Sequence, residues 1–189
     1  MIRALIFDCF GVFYVDPVFA YMHEPSTSPD KANALHSLDE QAARGMITKA
    51  TFTTQAAELL GLSHGAIEEQ FFHGQKRDVH LLEFVQTLRS SYKVALLSNI
   101  GGDMMDGYFS PDERQQFFDV TVLSGDVRLA KPDKAIFELT CEKLGVALNE
   151  AIMIDDMQST CTIVKEYGMQ SIWYRDFGQF RAELNELIR

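Results

Sequence analysis

A chain of 189 residues, 47% hydrophobic and 23% charged, has the length of one ordinary domain, or of a core domain with a smaller insertion, and enough apolar material for a core. Its formal net charge of −10 and pI near 4.9 exclude a nucleic-acid partner, because a phosphate backbone is held by clustered Lys and Arg. They also disfavour anionic lipid, but a local positive patch can still hold a small anion. The three cysteines, Cys9, Cys141 and Cys161, are an odd number without C-x-x-C spacing, which fits reduced thiols in a cytosolic protein. The opening MIRALIF runs straight into a strand with no leader pattern, and no apolar run approaches the ~20 residues of a membrane helix. A cytoplasmic protein with no membrane partner is expected.

The first element in chain order is a strand over residues 3–8, RALIFD. From residue 15 to 79 no strand pattern follows. A polar loop, YMHEPSTSP, leads into three helical patterns, DKANALHSLDEQAARG, ITKATFTTQAAELLG and SHGAIEEQFFHG, which repeat apolar residues at spacings of three and four. Beyond them helix and strand alternate. Helical VHLLEFVQTLRSSY precedes strands at 93–98 (KVALLS) and 119–123 (DVTVL); helical DKAIFELTCEKLGV precedes 150–155 (EAIMID); helical QSTCTIVKEYGM precedes 170–174 (QSIWY); and FGQFRAELNELIR closes the chain as a helix. Short continuous apolar runs suit strands buried on both faces of a parallel sheet. The fold expected is α/β, a doubly wound, Rossmann-like parallel sheet core of residues 1–14 and 80–189, with a small helical cap at 15–79 inserted after the first strand. The apolar Phe71, Phe72 and Phe109 belong either to a dimer interface or to the core, and the oligomeric state stays open.

Four polar marks stand at or just beyond strand ends: Asp8, Ser98 with Asn99, Lys131 with Pro132, and Asp155 with Asp156. In an open parallel sheet the ligand lies outside the carboxyl ends of the strands, so these marks can meet in one mouth. Asp8 precedes Gly11, where the chain can turn sharply, and a carboxylate so placed is a candidate nucleophile. Alternation turns Cys9 the other way, into the core. The Ser98 hydroxyl can hydrogen-bond an anion without adding charge, and the Lys131 ammonium can neutralise one. Adjacent carboxylates such as Asp155 and Asp156 repel one another unless they share a cation, although an Asp there can also cap the following helix.

This order of marks resembles the haloacid dehalogenase-like hydrolase superfamily, most of whose members are Mg²⁺-dependent phosphatases. The stretch GDVRLAKPD looks like its α-glucose-1-phosphatase branch. The resemblance implies that Asp8 attacks phosphorus to form an aspartyl-phosphate, with Ser98 and Lys131 as further catalytic groups and Asn99 and Gly11 contacting a small phosphorylated metabolite. It also implies a Mg²⁺ held by Asp8, Asp156 and the carbonyl of Phe10, with Asp155 either binding the metal or positioning its water.

Two positions depart from the family pattern. Phe10 stands where most of these phosphatases carry a second Asp, the acid and base of the reaction, and phenylalanine transfers no proton. Thr160 stands where many relatives place an Asp or Asn. His23, His73 and His80 are candidate replacements for the missing acid. Two alternatives therefore accompany the phosphatase: a catalytically weak or inactive ligand- or partner-binding member, and a metal-independent 2-haloacid dehalogenase, whose halide leaving group needs no proton. The retained Asp155 and Asp156 favour Mg²⁺ and phosphate.

Overall fold

The computed structural model describes residues 1–188. Strand β1 (Ala4–Phe7) is followed by helices α1 (Pro17–Met22), α2 (Pro29–Ala43), α3 (Lys49–Leu60) and α4 (His64–Glu68), the last running on as a π-helical turn over Glu69–His73. Next come α5 (Val79–Leu88), β2 (Lys93–Ser98), α6 (Gly102–Met105), α7 (Pro111–Phe117), β3 (Val120–Leu123) and α8 (Ser124–Val127). The chain continues through α9 (Lys134–Leu144), β4 (Ala151–Asp155), α10 (Gln158–Glu166), β5 (Gln170–Trp173) and α11 (Phe177–Leu187). The expected strands are therefore present, each trimmed by at most two residues. Helix α1 and the short helices α6, α7 and α8 are additions that apolar spacing did not reveal, because helices this short have too few turns to show a period. The final residue of the expected last helix, Arg189, lies outside the described residues.

All strand pairs are parallel, in the order β3-β2-β1-β4-β5. The chain builds outward from β1 on one side, then crosses back to continue on the other. That reversal is the switch point at which doubly wound sheets bind ligands. Side chains alternate across the sheet. Leu5 and Phe7 face α5 and α11 through Leu81, Val85, Phe180 and Leu184, whereas Ala4 and Ile6 face α9 and α10 through Ile136, Phe137 and Val164. Both faces are covered, which is why β1 and β4 are buried at every residue and read as unbroken apolar runs.

Helices α1–α4 form the insertion after β1. Their ends are set by local chemistry: Ser28, Thr48 and Ser63 accept N–H bonds from the first turns of α2, α3 and α4, each such cap contributing about 1 kcal/mol. Gly61 ends α3 at φ +72°. The insertion has no separate core. Leu35, Phe52, Phe71 and Phe72 belong to the same apolar cluster as Phe7, Tyr108 and Phe109, so Phe71, Phe72 and Phe109 are core residues rather than an exposed face. The hydroxyl of Tyr108 donates to the carbonyl of Phe71, fastening the π-helical turn to the segment after α6. Among the described residues no helix is long and apolar enough to cross a membrane.

Candidate active site

Register brings the strand-end residues together. Phe7 pairs with Leu96 of β2 and with Ile154 of β4, so Asp8 and Asp155 emerge side by side, and Ser98 ends the neighbouring strand. The Asp8 N–H donates to the Ile154 carbonyl at 2.9 Å, which carries the sheet pairing one residue past β1. Lys131 reaches in from the loop after α8. Its Nζ lies 2.6 Å from Asp8 Oδ2 and 2.8 Å from Asp155 Oδ2, and its side chain is 6% exposed.

Asp155 is fully buried, with one oxygen on Lys131 and the other accepting the Met157 N–H at 2.8 Å. It therefore holds the ammonium and the start of the next loop, while the cap position of α10 falls to Met157. The Asp156 carbonyl accepts the Trp173 indole N–H at 2.8 Å, while its carboxylate accepts no hydrogen bond from another described residue. Ligand oxygens of Asp8, Asp155 and Asp156 all lie within 4.8 Å of one another. Burial pushes Asp8 above the usual carboxylate range despite the pull of Lys131, with Asp155 adding to the push. Burial and then Asp155 raise Asp156 to about 6. Burial alone would lower the Lys131 ammonium, but Asp155 and Asp8 hold it above its ordinary value, so it stays charged. Three carboxyl groups against one ammonium leave an excess of negative charge that a divalent cation offsets, and such a cation favours their ionised forms. The donor set, all oxygen, suits Mg²⁺.

Between Asp8 and Tyr14 the chain folds into a tight turn. Gly11 adopts φ +70° and donates its N–H to the Tyr14 carbonyl at 2.6 Å. The Phe10 carbonyl accepts none of the backbone bonds of this turn. A Cβ on Gly11 would fall 2.0 Å from Asp156 Oδ2. Gly11→Ala is therefore expected to displace the Asp156 carboxylate, lowering divalent-cation affinity about 10- to 100-fold and adding roughly 1–2 kcal/mol of backbone strain. Calorimetric Mg²⁺ titration and thermal melting check both effects.

The remaining sequence candidates divide. The Ser98 Oγ is fully buried and has no hydrogen-bond partner. Asn99, expected at the substrate, lines the cleft and also brackets the Lys131 backbone: its Nδ2 donates to the Lys131 carbonyl at 3.0 Å and its Oδ1 accepts the Lys131 N–H at 2.8 Å. With both ends of its amide committed, it positions Lys131. Gly11, also expected at the substrate, borders the cleft, with its N–H donated within the turn. Cys9 is a buried core thiol whose pKa is raised well above the ordinary value by burial and the adjacent Asp8, as alternation requires of a residue turned away from the mouth. Thr160 lines the cleft.

Asp8, Ser98, Lys131 and Asp156 open into a cleft of about 530 Å³ walled on the other side by Asp16, Phe19, Ala20 and Asp39. His23, His73 and His80 do not line it. His23 stacks on Phe19, His73 sits 3.4 Å from Glu68, and His80 packs on Phe177. The Phe10 ring lies edge-on to Tyr108 at 4.9 Å and fills the place of the missing acid with apolar surface. Asp16 and Asp39 are cleft residues that sequence reasoning missed. The Asp16-Pro17 pair announces a helix start, which its side chain duly caps, and nothing in the periodicity of α2 marks Asp39.

Comparison with known proteins supports this reading of the fold. The chain is 26% identical over 208 aligned positions to a D-ribitol-5-phosphate phosphatase of Bacteroides thetaiotaomicron, covering 100% of this chain and 99% of that protein. Its fold matches a HAD family enzyme of the same organism, solved with magnesium and inorganic phosphate, at TM-score 0.75 and 23% identity over 95% of this chain and 99% of that one. It also matches the L-2-haloacid dehalogenase of Xanthobacter autotrophicus at TM-score 0.65 and 17% identity, over 98% and 83% of the two chains. Residues 18–174 fit the model of the haloacid dehalogenase-like hydrolases, and with them the chain belongs to that family of enzymes.

Proposed function

We propose that this hydrolase is a Mg²⁺-dependent phosphatase of a small phosphorylated metabolite, such as a sugar or polyol phosphate, acting through an aspartyl-phosphate on Asp8. The observation that carries this reading is the Ser98 hydroxyl, buried without a partner in the cleft that Asp8 and Lys131 line. A buried hydroxyl left unpaired costs about 1–3 kcal/mol, and a phosphoryl oxygen would satisfy it. The excess of carboxyl groups supports the metal.

In this mechanism Asp8 attacks phosphorus, and the bond from phosphorus to the ester oxygen breaks. Lys131 and Ser98 hold the transferring oxygens, and water then attacks the phosphorus of the intermediate, freeing Asp8. Asp8, Asp156 and the Phe10 carbonyl would hold Mg²⁺, which would supply positive charge to the phosphoryl oxygens. Asp155 and Asn99 keep Lys131 in place. Helices α1–α4 serve as the cap, contributing the wall that meets the organic part of the substrate. Lys131 is the one cation among the described residues lining the cleft, facing Asp8, Asp16, Asp39, Asp155 and Asp156. That balance favours substrates with a single phosphoryl group and no second anion.

The Phe10 ring is the feature that favours the second reading, a dehalogenase. The test is a panel of p-nitrophenyl, sugar and polyol phosphates, with 2-chloropropionate in chelator alongside. Phosphate release supports the phosphatase; halide release with every phosphoester inert selects the dehalogenase; inertness of the folded protein toward all of them leaves a binding protein. Ser98→Ala sharpens the test. It is expected to leave the melting temperature unchanged or slightly raised, since it removes an unpaired polar atom, while lowering kcat/KM about 10²-fold. A fall in stability with unchanged kinetics would make the hydroxyl structural.

A further inference from the structure

The residue at position 10 transfers no proton, yet an alkoxide leaving group needs one. The cleft limits which other group can supply it. Lys131 is clamped between Asp8 and Asp155, and Asp156 is the proposed metal ligand. The hydroxyls of Ser98, Ser159 and Thr160 are too weakly acidic to protonate a leaving group near neutral pH. Tyr108, beside Phe10, has its hydroxyl committed to the Phe71 carbonyl. The carboxyl groups on the helical wall remain, Asp16 and Asp39. Burial raises Asp16 above the usual carboxylate range, but its Oδ1 accepts the Phe19 N–H at 2.9 Å, which commits that oxygen to the start of α1 and works against protonation. The Asp39 carboxyl accepts no hydrogen bond from any described residue. It borders the main cleft and, together with Phe10, Asp16 and Tyr108, a smaller cavity that adjoins it. It therefore stands on the cap side of the cleft, where the leaving alcohol of a phosphoester bound at Asp8 would lie.

We propose that Asp39 takes over the acid and base work that residue 10 has lost. This rests on the phosphatase reading. As Asp8 bonds to phosphorus and the phosphorus–oxygen bond of the ester breaks, the Asp39 carboxyl gives its proton to the departing oxygen, releasing the alcohol. When water attacks the phosphorus of the aspartyl-phosphate, the Asp39 carboxylate takes a proton from that water; phosphate leaves, and Asp8 and the Asp39 carboxyl are regenerated. The surroundings keep Asp39 protonated between turnovers. Burial, then Asp16, then Glu40 raise it to about 7. Lys131, across the cleft, is occupied by its own two carboxylates.

The test compares parent, Asp39→Asn and Asp39→Glu on a polyol or other alkyl phosphate and on p-nitrophenyl phosphate, whose leaving group departs without a proton. Asp39→Asn is expected to lower kcat/KM, which reports the steps up to departure of the alcohol and not the shared hydrolysis of the aspartyl-phosphate, about 10²-fold or more on the alkyl ester, with the loss on the aryl ester at least tenfold smaller and Asp39→Glu recovering part of the activity. Parent kcat/KM on the alkyl ester should fall as pH rises past about 7, because the donor must carry its proton, and this limb should vanish in Asp39→Asn. A folded state that holds this proton up to about 7, against an ordinary value of 3.8, loses stability as pH rises between those values. Asp39→Asn should therefore melt at or above the parent at pH 8, which separates a catalytic loss from misfolding. Equal losses on both esters, or no loss, would overturn the assignment with the phosphatase intact. A parent inert toward both esters would overturn the phosphatase reading itself, and this proposal with it.

Discussion

Asp8→Asn is expected to abolish turnover, lowering kcat by about 10⁴-fold or more, on the scale seen when an enzyme loses its nucleophile, while the protein stays folded. The amide is isosteric with the carboxylate and can keep the backbone bond to β4, because that bond uses the Asp8 N–H and not the side chain. Lys131 keeps Asp155 as a partner at 2.8 Å, so no buried charge is stranded. The variant should show the parent's circular dichroism and a melting temperature within a few degrees, and it should lose much of the stabilisation that Mg²⁺ gives the parent, since one ligand is gone. Steady-state kinetics beside melts with and without Mg²⁺ check all of this. Retained activity would remove Asp8 from the chemistry.

Lys131→Ala should do the most damage to the fold. It strands Asp155, which is fully buried, and Asp8, which is nearly so, and removing one partner of a buried ion pair costs about 3–5 kcal/mol. The Asn99 bracket grips the Lys131 backbone and survives the substitution, so the loop stays near the site and the deficit is electrostatic. Protonation relieves the stranded carboxyl groups, so the variant's deficit against the parent should narrow as pH is lowered. Denaturant unfolding at several pH values measures this. Activity should fall with it, because the ammonium that neutralises the phosphoryl oxygens is lost. Lys131→Arg is not a conservative rescue, since a planar guanidinium does not fit a point-charge site between two carboxylates. A deficit that does not change with pH would mean that packing, not charge, dominates at this position.

The sequence carried most of the site because sheet and chemistry coincide in it. Apolar runs buried on both faces are hard to mistake for anything but strands, and a polar residue ending such a run must lie at the carboxyl edge. Asp8, Ser98 and Asp155 were visible for that reason, and Lys131 through its Lys-Pro-Asp setting before an amphipathic helix. Which polar groups face a ligand and which face each other was not visible. The side-chain directions of Asn99 and Asp155 depend on loop geometry after the strands, and both turn to hold Lys131. Asp16 and Asp39 were hidden because a helix face can be chosen from sequence only against a known neighbour, and the neighbour of α2 is set by tertiary packing. The insertion was visible as helices, but its apolar continuity with the core around Tyr108 and Phe109 was not, since that arises from contacts distant in sequence. Phe10 was visible as an absence, and what replaces it became a question only once the opposite wall was in view.

Release of inorganic phosphate from p-nitrophenyl phosphate, followed from excess chelator to saturating free Mg²⁺, tests the central claim most directly. The account predicts no turnover in chelator, a saturable rise with Mg²⁺, and no rise in Asp8→Asn. Turnover that persists undiminished in chelator, or no phosphate release at any Mg²⁺ concentration from protein shown to be folded, would contradict it.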